Sequence, residues 1–246
     1  MNTTHISTNI YRFIKNRFSR ESFWGLTATW LSLTFIYALF LLLGIVEDFI
    51  HSDPIVAVDN NFNQLMILFR SDYLTKIFME ITSLGSWLIV VNVAVAFFLI
   101  LWLLKKRTYI PTFWLSLMGS TLVNFLSKLA FHRPRPLYPV YTESGFSFPS
   151  GHASVAVAMY GFIIYFFLRQ TKKLINKILI LFLGLTLVIA IGFSRLYLGV
   201  HYLSDVWAGY LSGLLWLILG ISWTEWLIVQ SEKKFTNNET KINTKG

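Results

Sequence analysis

The chain has no cysteine and little charge, with Asp, Glu, Lys and Arg making up 13% of its 246 residues. The first absence excludes disulfides, thiolate catalysis and cysteine-ligated zinc or iron–sulfur sites. The second excludes an ordinary soluble domain, in which about 25% of residues are charged. Hydrophobic residues make up 55% of the chain and aromatic ones 17%. With so few groups to solvate, the sequence reads as an all-α integral membrane protein, since helices satisfy their own backbone inside a bilayer. There is no internal repeat and no sign of a second domain.

Residues 1–22 are polar and basic, with Arg12, Lys15, Arg17 and Arg20. Trp24 to Val46 carries no charge and is long enough to cross ~30 Å of hydrocarbon as a helix. A secretory signal would have a shorter apolar core and a small-residue cleavage site, so this is read as an uncleaved first span. Apolar runs at about 87–104, 108–127, 152–168, 178–194 and 205–226 predict five more spans. Residues 23–230 form one six-span domain, both termini are cytoplasmic, and the Lys/Asn/Thr-rich tail 231–246 is expected to be disordered. Between the first two spans, Val58, Phe62, Leu65, Met66 and Phe69 recur at helical spacing, as do Tyr73, Ile77, Phe78 and Ile81. They predict two short amphipathic helices, lying at the membrane surface or packed on neighbouring spans. His51 and Asp59 fall in this stretch without a recognisable partner.

The formal charge of +9 suggests a nucleic-acid partner until its distribution is considered. In the six-span arrangement the inner segments hold fifteen Lys/Arg against four acidic residues, a net of +11. The outer segments hold six basic and eight acidic residues, a net of −2. This is the positive-inside bias, and it requires no nucleic acid.

Three polar clusters interrupt the apolar pattern. The first runs from Lys128 to Pro136 and contains His132, Arg133 and Arg135; alone it could be basic residues reaching for the interface. The second is Pro149-Ser150-Gly151-His152, in which Ser can cap the helix that begins there and the free amides suit an anion. The third is Ser194-Arg195 through His201 to Asp205. If His201 and Asp205 share a helical turn, the carboxylate can orient the imidazole and leave its other nitrogen free. In the six-span arrangement all three lie at one depth on the extracytoplasmic side. Ionisable groups at helix ends in a membrane protein mark a candidate site. His152, His201, an Asp, several cations and a helix start are what metal-free phosphoryl transfer needs: nucleophile, proton donor and charge stabilisation. No acidic cluster stands near the motifs to hold magnesium.

These strings resemble the three-part signature of the type 2 phosphatidic acid phosphatase superfamily: Lys-x6-Arg-Pro, Pro-Ser-Gly-His and Ser-Arg-x5-His-x3-Asp. Lys128 through Arg135-Pro136, Pro149 to His152, and Ser194-Arg195 through His201 to Asp205 match all three in order. The first spacing selects Arg135 over Arg133. The resemblance implies that His201 attacks phosphorus to give a phosphohistidine, that Asp205 orients it, and that His152 protonates the leaving oxygen and then activates water. It implies that Lys128, Arg135, Ser150, Gly151 and Arg195 hold the phosphoryl oxygens, with no cofactor and no metal. The expected substrate is a lipid phosphate or diphosphate such as phosphatidylglycerophosphate, undecaprenyl diphosphate or phosphatidate, met among membrane lipids at the outer face of a bacterial cytoplasmic membrane. The same site would serve a lipid phosphotransferase, and a non-catalytic transporter or structural membrane protein is a third reading.

Overall fold

The computed structural model describes residues 26–51 and 54–243, with side chains as far as residue 232. Residues 1–22 and the start of the first span lie outside the described residues. Eight helices follow in order: α1 (Leu26–His51), α2 (Ile55–Leu68), α3 (Asp72–Ser83), α4 (Trp87–Leu103), α5 (Tyr109–Phe131), α6 (Gly151–Gln170), α7 (Leu174–Tyr197) and α8 (Leu203–Asn243). Among the described residues there is no strand. Both amphipathic helices of the 47–86 stretch are present, as α2 and α3.

By length and apolarity α1, α6, α7 and α8 can each cross a membrane, and α3 with α4, bent by 45° at their junction, gives a fifth candidate. Helix α5, expected as the third span, has 23 residues but is less apolar. The reason is a stripe of Thr112, Ser116, Ser120 and Asn124, one residue per turn, all turned inward and buried. The Ser116 hydroxyl donates to the Ala158 carbonyl (3.0 Å), Ser120 and Ser154 share a hydrogen bond (2.6 Å), and Thr224 donates to Thr112 (2.7 Å). Hydropathy counts these groups as costs, whereas between helices they are glue. The Ala158 carbonyl belongs to a π-helical turn at Ala156–Tyr160, a break that frees backbone acceptors for such partners.

Only 6% of the most apolar window of α1 and 11% of that of α7 is buried within the protein, against 44% for α6 and 39% for α8. The central helices are therefore α6 and α8, with the outer helices turning apolar faces such as Phe40 and Phe182 outward. In water such faces would be untenable, whereas against lipid they are matched. An aromatic core fills the end of the bundle where α5 begins: Phe97 meets Phe113 at 4.9 Å and Phe166 at 5.5 Å, and Phe113 meets Phe162 at 5.6 Å. The polar clusters occupy the opposite end.

Helix α8 does not stop near Trp226 but continues to Asn243, into the tail expected to lack order. Extending an existing helix needs no new nucleus, so a polar continuation costs little.

Two glycines one turn apart set the distance between α6 and α8. A Cβ on Gly209 would stand 2.5 Å from the Ser150 carbonyl oxygen, and one on Gly213 would stand 2.3 Å from that of Ser154. Small residues at this spacing let two backbones touch. Gly209→Ala must therefore push the Ser150–His152 segment away, with an overpacking cost of ~1–3 kcal/mol. We expect a lower melting temperature and reduced catalysis, while Gly44→Ala, where a Cβ meets nothing within 4 Å, should change neither. Thermal unfolding in detergent and turnover per folded molecule are the measurements.

Candidate active site

Helix α7 ends at Tyr197, and Gly199 turns the chain through a left-handed backbone (φ +67°). A side chain is strained there by the left-handed backbone, and its Cβ would also displace the Arg70 guanidinium, 2.2 Å away, and crowd the Tyr138 carbonyl oxygen at 3.1 Å. The turn delivers His201 just before α8 starts at Leu203. His201 is thus not on the helix, so the shared-turn condition is not met. Its Nδ1 lies 3.4 Å from Asp205 Oδ2, without a formed hydrogen bond. That Oδ2 accepts the Tyr202 backbone N–H at 2.8 Å, the half of a capping box in which the third helical residue reaches back to the cap. Capping explains why an acidic residue sits at this point in the sequence, and the same bond aims the carboxylate at the imidazole.

The Ser150–His152 segment is joined to the same place. The Ser150 N–H donates to the Asp205 carbonyl at 2.9 Å, and Asn124 on α5 donates to the Pro149 carbonyl at 3.3 Å. Ser150 is fully buried, yet its hydroxyl has no hydrogen-bond partner among the described residues. A buried polar atom left alone is costly, so this hydroxyl is available to an incoming oxygen. His152, on the first turn of α6, lies within electrostatic reach of Arg195, His201, Lys128 and Arg135. Lys128, near the end of α5, is within reach of Arg135, Glu143, Asp205 and Arg195. All eight expected residues therefore come together.

Arg195 is fully buried; its Nη1 donates to the Thr82 hydroxyl (2.6 Å) and the Tyr141 hydroxyl (2.5 Å), and its Nη2 is paired with Glu143. Arg135 donates to the Val200 carbonyl at 2.8 Å and stands 3.3 Å from His201 Nε2, with its other nitrogen 3.4 Å from Glu143. Burial is the largest influence on His201 and, with the Arg195 and Arg135 cations beside it, pushes its pKa well below the ordinary 6.5. The ring is therefore neutral at pH 7, with Nε2 able to carry a lone pair. Burial alone would raise the Glu143 carboxyl, but Arg195 and Arg135 outweigh it and hold the pKa below the usual range.

Three residues of this site escaped the sequence reading or were placed outside it. Glu143 bridges two of the cations expected to hold phosphate, and its only sequence signal is being the single acid in a basic, Pro-rich loop. Arg133, passed over for Arg135, pairs with Asp205 at 2.5 Å and with Asp59 at 2.7 Å. Asp59, given no partner, is buried against Ser204 and Arg133. Among the described residues His51 bonds its own helix, through the Glu47 carbonyl at 3.0 Å.

The sequence of residues 112–228 matches the model of the PAP2 superfamily. The chain is also 32% identical over 190 residues to phosphatidylglycerophosphatase B of Bacillus subtilis (strain 168), covering 74% of this chain and 91% of that protein. The chain belongs to the PAP2 superfamily. The crystal structure of a transmembrane PAP2-type phosphatidylglycerolphosphate phosphatase from Bacillus subtilis superposes with a TM-score of 0.67 at 28% identity, covering 77% of this chain and 93% of that one. That of Aquifex aeolicus LpxE shares the fold, with a TM-score of 0.53 at 24% identity over 67% of this chain and 93% of that one. The helices and the family together make this a membrane phosphatase of PAP2 type.

The Glu143 carboxylate sits on two of the cations expected for a phosphoryl group, where a phosphate bound as expected would compete with it. Glu143→Gln should therefore tighten competitive inhibition by inorganic phosphate or vanadate about tenfold, or ~1.4 kcal/mol. That is a fraction of the ~4 kcal/mol between unit charges 4 Å apart near a protein surface. Weaker inhibition in the variant would mean that Glu143 helps to hold the phosphoryl group.

Proposed function

We propose that the protein hydrolyses a lipid phosphate or diphosphate, through a phosphohistidine on His201, at the outer face of a bacterial cytoplasmic membrane. The observation that carries the proposal is the placing of His201, with Nε2 3.3 Å from Arg135 and Asp205 3.4 Å behind its other nitrogen. Nε2 attacks phosphorus, and the ring becomes cationic as the bond forms; Asp205 offsets that charge. Arg135, Arg195 and Lys128 neutralise the equatorial oxygens, aided by the Ser150 hydroxyl and the amides of Gly151 and His152 at the start of α6. His152 donates its proton to the leaving lipid oxygen and then takes one from the water that frees phosphate.

The lipid's place is an apolar cavity of about 360 Å³ between α4, α5 and the start of α6. Trp87, Val91, Ala94, Leu117 and Met118 line it together with Gly151 and His152. A lipid chain lying in the cavity would bring its phosphate to the side of His152, within reach of the cations. The relative named for phosphatidylglycerophosphate makes that lipid the first candidate. In this reading α1, α4, α5, α6, α7 and α8 are the six spans, and the +11 side faces the cytoplasm.

Purified protein should release phosphate from a panel of phosphatidylglycerophosphate, phosphatidate and isoprenyl mono- and diphosphates, and should do so in excess chelator. The cations of Lys128, Arg135 and Arg195 stand where a metal would otherwise be needed. Activity lost in chelator and restored by magnesium or zinc would refute the metal-free mechanism, and no release from any lipid would refute hydrolysis itself.

A further inference from the structure

Asp59 lies in the middle of α2, far in sequence from every motif, yet it is only 1% exposed and fully engaged. Its Oδ1 accepts the Ser204 backbone N–H at 2.9 Å, and its Oδ2 accepts the Ser204 hydroxyl at 2.5 Å and Arg133 Nη2 at 2.7 Å. Arg133 Nη1 donates in turn to Asp205 Oδ1 at 2.5 Å and to the Ser204 oxygen at 2.7 Å. The guanidinium is clamped between two rings, with its carbon 4.9 Å from the Phe49 centroid and 4.3 Å from that of Tyr202. A run of charged contacts thus links Asp59, Arg133 and Asp205, and Asp205 Oδ2 stands 3.4 Å from the His201 ring.

We infer that Asp59 and Arg133 are positioning residues for the His201–Asp205 pair. They set both the orientation and the net charge of the carboxylate behind the nucleophile. This rests on the reading of His201 as the nucleophile. Orientation follows from the bonds: Asp205 Oδ1 is fixed by Arg133 and Oδ2 by the Tyr202 amide, so the carboxylate plane cannot turn.

Charge follows from counting what surrounds His201. Arg195 faces it from α7, Lys128 from α5, His152 from α6, Asp205 from α8, and Arg135 and Glu143 from the loop between α5 and α6. Arg133 alone would cancel Asp205 and leave Glu143 to face three cations. Asp59 supplies the second carboxylate, so the Asp59–Arg133–Asp205 group keeps one negative charge behind a ring that must become positive. Neither Asp59 nor Arg133 pairs with Arg135, Arg195 or Glu143; their bonds go to Asp205, Ser204 and each other.

The test is a double-mutant cycle on the full chain, read with the best lipid from the panel. Asp59→Asn keeps the shape and removes the charge. It should lower kcat by about ten- to a hundredfold, the effect of outer-shell partners on the groups that they orient, with KM little changed. The acid limb of the kcat profile should move to lower pH, because His201 loses a negative neighbour. In an Asp205→Asn background the same substitution should cost little more, since its path to His201 is already cut. Ser204→Ala, which removes two of the bonds on the chain without touching a charge, should give a smaller loss of the same kind and guards against misfolding of Asp59→Asn.

Equal losses in both backgrounds, or a fall in folded protein with kcat per folded molecule unchanged, would show that Asp59 merely docks α2 and would overturn the inference. His201→Ala is the separate control. Turnover at the wild-type rate in that variant would sink the nucleophile assignment and the relay with it, whereas an inactive His201→Ala beside an unaffected Asp59→Asn would sink the relay alone.

Discussion

The ion pair between Arg133 and Asp205, 2.5 Å long and sealed from solvent, is the contact on which this end of the bundle depends. It ties the loop after α5 to the first turn of α8, and through Asp59 it ties both to α2. Removing one member of a buried pair typically costs ~3–5 kcal/mol, because the other charge is left without compensation. The Asp205 backbone carbonyl also anchors the Ser150 amide, so the second motif hangs from the residue that aims the third. Disturbing this pair moves all three motifs.

The same economy of charge shapes the open side of the site. Lys128, Arg135 and Arg195 would repel one another in a dry pocket without an anion among them. Glu143 fills that need between Arg135 and Arg195, and a phosphoryl group brings the same sign of charge with more oxygens to bond. In the proposed function, Glu143 and substrate would compete for the same cations. There, selectivity for phosphate would follow from charge and from the unpartnered Ser150 hydroxyl, and selectivity for lipid from the apolar cavity that His152 helps to line.

Much of this was legible in the sequence because it is local. Apolar runs mark α1, α6, α7 and α8, and helical spacing marks α2 and α3. The three motifs name the residues that converge, since each is a short string at a helix end. What could not be read is what depends on partners far along the chain. Asp59 meets Arg133 across 74 residues and Ser204 across 145, and nothing near Asp59 hints at either. Glu143 meets Arg195 across 52. The stripe on α5 lowers its apolarity for a reason visible only once α6 and α8 lie against it. The i, i+4 spacing allowed His201 and Asp205 to share a helical turn; instead the left-handed Gly199 turn sets His201 one step ahead of the helix, where the capping bond of Asp205 aims the carboxylate at it.

The central claim is that the phosphoryl group passes through His201 Nε2. Rapid quenching of the protein with a lipid labelled at its terminal phosphate, followed by peptide mapping under alkaline conditions, tests it most directly. The account predicts an acid-labile phosphate on the peptide containing His201, formed in the first turnover and absent in His201→Ala. Label on another residue, or single-turnover release with no protein-bound phosphate at any time point, would contradict it.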